Sequence, residues 1–79
     1  MTKERRQQLG ITDDQWKLGR SICNEAIVGG RVRYNGISQG VTGEFAIIEK
    51  VVRSERMISI RLERNGQSFR AFAHNLTFA

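Results

Sequence analysis

The sequence predicts a mainly β, α+β fold: a five-stranded small barrel preceded by an N-terminal amphipathic helix. One observation is the succession of short β-rich runs after Gly30, punctuated by Asn35-Gly36, Gly40-Val41-Thr42-Gly43 and Asn65-Gly66. Glycine enters the left-handed turns that join strands without steric cost, and Asn-Gly favours the type I′ turn of a tight hairpin. The other is a single helical pattern upstream, with a start signal and an apolar stripe. At 79 residues the chain makes one domain with one modest core, burying roughly 60–65% of its unfolded surface.

Residues 1–11 are a polar N-terminal arm, either frayed helix or mobile segment, ending near Gly10. Residues 12–28 are the helix. Thr12 as N-cap and Gln15 three positions on make a capping box, and Ile11 before the cap is placed to staple onto Trp16. Asp13 and Asp14 suit the positive end of the helix dipole. Trp16, Gly19, Ile22, Cys23, Ala26 and Ile27 recur at three- and four-residue steps and form one stripe, which the open end or outer face of the barrel must cover. Gly29-Gly30 ends the helix and leaves too short a junction for two independent units.

Residues 30–79 are the barrel, with strands expected near 31–34, 43–52, 57–63, 67–73 and 76–78. In the second, strict alternation puts Phe45, Ile47 and Val51 on one face and Ala46, Ile48 and Val52 on the other, so this strand is either bent or covered on both sides. A two-residue turn at Asn65-Gly66 sets Arg61 opposite Arg70, Leu62 opposite Phe69 and Ile60 opposite Ala71. Leu62, Ile60, Phe69 and Ala71 then face the core, and Arg61, Arg70, Ser59 and Phe72 face outward. Opposed like charges cost a few tenths to about 1 kcal/mol. Either a bound phosphate or neighbouring carboxylates such as Glu63 must relieve them.

Gly30-Arg31-Val32-Arg33, the Gly40 to Phe45 turn, Ile60-Arg61-Leu62 and Asn75-Leu76-Thr77-Phe78 together resemble the KOW/Src-homology-3-type small barrels, in which an Asn-Leu turn often leads into the last short strand. The resemblance spans residues 30–79 and implies a fold rather than a function, because such barrels bind RNA, DNA, peptides and partner subunits. Two departures stand out. Phe45 occupies a position where the pattern usually has a smaller β-branched residue, and the turn Ile37-Ser38-Gln39 carries no basic side chain.

Lys plus Arg number 13 against 8 for Asp plus Glu, a formal charge of +5, and ten of the bases are arginine. Arginine favours bidentate contact with phosphate or carboxylate, which points to nucleic acid or an acidic protein partner; a charge of this size also serves solubility. Arg31, Arg33, Arg61, Arg64 and Arg70 are the candidate phosphate contacts. Phe72 either stacks on a base or packs under the helix with Trp16. Lys50, Arg53 and Arg56 form a second basic group at the bend after the second strand.

Catalysis finds no constellation: His74 is the only histidine and Cys23 the only cysteine, so neither a triad nor a cysteine-based zinc site is expected, and no cofactor is implied. His74 reads as a polar residue of the terminal turn. Gly36, Gly40 and Gly43 lack the Gly-Lys-Ser/Thr ending of a phosphate loop. A lone thiol fits a reducing cytoplasm, and no apolar run suggests a signal peptide or membrane span. The expectation is a non-catalytic nucleic-acid-binding or regulatory protein. The alternative is a protein-interaction module or homo-oligomer subunit that docks through the helix stripe or a barrel edge.

Overall fold

The computed structural model describes residues 1–37 and 40–79; Ser38 and Gln39, in the turn noted above, lie outside the described residues. Two helices precede five antiparallel strands: α1 (Lys3–Gln8), α2 (Asp13–Glu25), β1 (Arg31–Tyr34), β2 (Phe45–Val52), β3 (Met57–Leu62), β4 (Ser68–Phe72) and β5 (Leu76–Phe78). The strands form one sheet in the order β4-β3-β2-β1-β5. Its two edge strands, β4 and β5, are joined by a single 3₁₀ turn, Ala73–Asn75, so the sheet must curl to bring them together. No helix among the described residues is long and apolar enough to cross a membrane.

Curling gives the sheet a concave side that every strand helps to fill. Val32 and Tyr34, Ala46 and Ile48, Ile58, Ile60 and Leu62, Ala71, and Leu76 are all buried there. Each fully buried large side chain among them contributes about 2 kcal/mol. Tyr34 meets Phe69 edge to face, with ring centroids 5.2 Å apart. Gly36 is needed beside it, because a Cβ there would lie 2.3 Å from the Tyr34 hydroxyl.

β2 serves both halves of the sheet by bending at a bulge. Its register against β3 shifts between Ile48, opposite Ile60, and Lys50, opposite Ser59. The extra residue, Glu49, inverts the alternation beyond it. Val51 therefore packs against the core, and Val52 lies opposite outward Met57, the reverse of the faces strict alternation assigns.

The β3–β4 connection also differs from expectation. Leu62 N–H donates to the Gln67 carbonyl at 2.8 Å and Gly66 N–H to the Leu62 carbonyl at 2.9 Å, which makes Glu63 to Gly66 a four-residue loop. Of the Asn65-Gly66 pair only Gly66 takes positive φ, 73°, whereas a type I′ turn needs it at both positions. The Asn65 side chain instead accepts from the Gln67 N–H at 2.9 Å. Arg61 consequently faces Ser68 and Arg70 faces Ser59, so the expected opposition of the two arginines does not occur. Release of Glu63 and Arg64 from the ladder explains the choice: Glu63 reaches Arg31, Arg64 reaches Glu44, and Glu63 N–H donates to the Phe45 carbonyl at 3.0 Å. A slip of two residues leaves each side chain on its original face.

Thr12 caps α2 with both halves of the capping box formed, at 3.0 and 3.1 Å. The helix stops at Glu25, earlier than the stripe suggests, because Ala26 turns extended and Gly29 N–H already donates to Ile48 of β2 at 2.8 Å. Ile27, assigned to the buried stripe, is accordingly 73% exposed. The remaining stripe closes the barrel's open end: α2 lies against both 3₁₀ turns, Arg53–Glu55 and Ala73–Asn75, and the end of β3. The polar N-terminal segment is helical as α1, capped by Thr2, with no buried residue.

Candidate nucleic-acid interface

Residues directly opposite across antiparallel strands share a face, so the register decides which arginines meet. Arg31 is opposite Ile47, Ile47 opposite Arg61, and Arg61 opposite Ser68, making one row across four strands on the convex side. Arg33 lies opposite Phe45 on one side and Thr77 on the other. Lys50, Ser59 and Arg70 make a further row beyond the bulge. Arg31, Arg33, Arg61 and Arg70 thus share the outer face, with Arg64 at its margin.

Three carboxylates are interleaved with these cations. Glu63 takes Arg31 bidentately at 2.9 and 3.0 Å, Glu49 takes Arg61 at 3.4 Å, and Glu44 takes Arg64 at 3.1 Å. The hydrogen bond to Glu63 raises the Arg31 pKa above its ordinary value and keeps the guanidinium charged. Ser68 Oγ donates to the other Glu49 oxygen at 2.6 Å. Arg33 gives its Nε–H to the Gly43 carbonyl at 3.2 Å, and neither it, Arg70 nor Lys50 has an ion pair among the described residues. The face therefore keeps a surplus of positive charge around those three side chains.

Its aromatic centre is Phe45, not Phe72. Phe45 is 37% exposed, with the Arg31 guanidinium 4.0 Å and the Arg33 guanidinium 6.0 Å from its ring centroid. The sequence signal for it was its bulk at a position where the KOW pattern, which the chain only resembles, usually has a smaller β-branched residue. Phe72 is half-buried at the far end of β4, where it stacks on His74 with centroids 5.5 Å apart. Rather than sharing a pocket with Trp16, it lines an open groove of about 520 Å³ with Leu9, Met57, Glu55 and Arg5. Burial lowers the His74 pKa below its ordinary 6.5, so the imidazole in that stack is held neutral.

The second basic group divides. Lys50 joins the outer face, but Arg53 donates to the Cys23 carbonyl and Arg56 to the Trp16 carbonyl at 2.7 Å, tying α2 to the barrel. Burial raises the Cys23 pKa, which keeps the thiol protonated and poorly nucleophilic. The described residues contain no group of His, Cys, Asp and Glu able to hold a metal ion. No family model matches the chain, and no curated protein or solved structure is significantly similar to it.

Proposed function

We propose that the protein is a non-catalytic nucleic-acid-binding module that contacts phosphate through the outer face of its sheet. The observation that carries this reading is the convergence of Arg31, Arg33, Arg61 and Arg70 on one face, with Arg33, Arg70 and Lys50 left without a carboxylate partner among the described residues. Uncompensated guanidinium groups on an open, curved surface suit a polyanion, since each phosphate contact releases condensed counterions. The resemblance of residues 30–79 to KOW/Src-homology-3-type barrels is compatible with this reading, since such barrels bind RNA and DNA as well as peptides and partner subunits.

Titration of the protein against nucleic acid at several salt concentrations tests the reading. Replacing Arg33 and Arg70 together with Gln should weaken binding about equally for all sequences. On duplex DNA it should lower the slope of log affinity against log salt by about 0.9 per lost contact. Unchanged affinity and slope would place the binding surface elsewhere.

A second reading, docking of an acidic protein or a further copy of the chain, is favoured by the exposure of Leu18, Ile27 and Val28 and by the free edges of β4 and β5. A concentration-dependent mass in solution that Ile27→Ser abolishes would support it.

A further inference from the structure

We propose that Arg31 is a stacking platform for an unpaired nucleobase, so that the ligand of the outer face is single-stranded rather than duplex nucleic acid. This rests on the nucleic-acid reading above. The guanidinium lies 4.0 Å from the Phe45 ring centroid, at stacking distance. Its Nε–H and one Nη–H group are held by the two Glu63 oxygens at 2.9 and 3.0 Å, which fix the plane against rotation. Half of the Arg31 side chain remains exposed. With one side of the group on Phe45, a base stacks on the side turned away from the ring.

This geometry separates Arg31 from its neighbours. A guanidinium with two of its five donors and much of its charge taken by a carboxylate grips phosphate less well than an unpaired one, yet its planar, weakly hydrated surface is well suited to cover a base. Arg33, Arg70 and Lys50, without ion pairs among the described residues, supply the phosphate contacts around it. Stacking requires a base whose own face is uncovered. In a duplex those faces are occupied by neighbouring base pairs, and only base edges show in the grooves. Even the narrowest extent of the molecule, 16 Å, exceeds a major groove about 12 Å wide. A single strand lying across the convex side meets neither obstacle.

The test compares labelled oligodeoxyuridylate, oligouridylate and a mixed-sequence duplex, each about twelve nucleotides long, by fluorescence anisotropy over a range of salt. Both single strands should bind about tenfold or more tightly than the duplex, and the tighter of the two identifies the sugar preferred. Arg31→Lys keeps the charge but loses the plane. It should weaken single-strand binding about tenfold with little change in salt slope, and Phe45→Ala should do the same. Arg70→Gln should instead lower the single-strand slope by about 0.7. Circular dichroism of Arg31→Lys establishes that its fold is intact. If the duplex binds as tightly as the single strands, or if Arg31→Lys and Phe45→Ala are neutral while Arg70→Gln weakens binding, base stacking is wrong and the phosphate-binding reading stands. Absence of binding by the parent protein to all three ligands at low salt overturns both.

Discussion

Two arginine–aromatic clusters lie on different sides of this small protein, and they use the same contact for different ends. Against Trp16 stand Arg56, 4.0 Å from the ring centroid, and Arg6 at 5.0 Å; against Phe45 stand Arg31 at 4.0 Å and Arg33 at 6.0 Å. Around Trp16 the donors go to the structure itself. Arg56 donates to the Trp16 carbonyl across the junction between α2 and the barrel, and Arg6 pairs with Asp13 at the start of α2. The Arg56 pKa is lowered from its ordinary value by desolvation, with Arg20 and Arg6 adding like-charge repulsion. On the outer face that carries Phe45, Arg31, Arg61 and Arg64 pair with side-chain carboxylates on an exposed surface, where ion pairs contribute little to stability. Arginine beside an aromatic ring is therefore a joint in one place and a candidate contact surface in the other. What separates them is that Arg56 satisfies a backbone carbonyl of α2 across the junction, whereas Arg31, equally close to its ring, meets an exposed carboxylate.

The largest expected effect tests the joint. Trp16→Ala removes the ring that Arg6 and Arg56 pack against and should cost about 3 kcal/mol in urea unfolding. An unchanged midpoint would mean that the junction holds without it. Arg56→Ala should follow at about 1.5 kcal/mol, through loss of a charge-assisted hydrogen bond to backbone. Arg31→Ala, its counterpart on the other cluster, should leave the unfolding midpoint close to that of the parent. If the two arginine variants were equally destabilised, the division between joint and surface would collapse.

Smaller effects sharpen the picture at the edges of the joint. Thr12→Ala breaks the capping box that begins α2 and should cost about 1 kcal/mol, read from the same unfolding curves. His74, in the turn against which α2 packs, has a folded pKa below its unfolded value of 6.5 because burial disfavours its charged form. The unfolded chain therefore binds the proton more readily. Stability from the neutral imidazole is full above about pH 6.5 and is lost as pH falls toward the folded value. The unfolding midpoint should decline below that pH, and His74→Gln should decline less; identical pH profiles for the two proteins would remove His74 from the account.

The chain's local chemistry was enough to read several features directly. Thr12 and Gln15 make a cap from their own side chains and the adjacent backbone, and strand positions such as Val32 and Ile60 are buried as alternation requires, because both depend on residues only a few positions apart. The candidate face was legible in part for the same reason: outward arginines on β1, β3 and β4 follow from period-two alternation. Phe45 and the partners Glu44, Glu49 and Glu63 were not legible, since they join segments 12 to 32 residues apart. Asn65-Gly66 shows where local reading stops. Its preference for a tight turn was overruled by two ion pairs and a backbone hydrogen bond that exist only once β1, β2 and β3 are side by side. The bulge at Glu49 likewise reversed the faces of Val51 and Val52. Sequence alone determined where helices and strands arise and which way most side chains point, because those are near-neighbour properties. Register, the bend in β2 and the division of ten arginines between joint and surface were decided by the tertiary structure, because each depends on which distant backbone or carboxylate group comes within hydrogen-bonding reach.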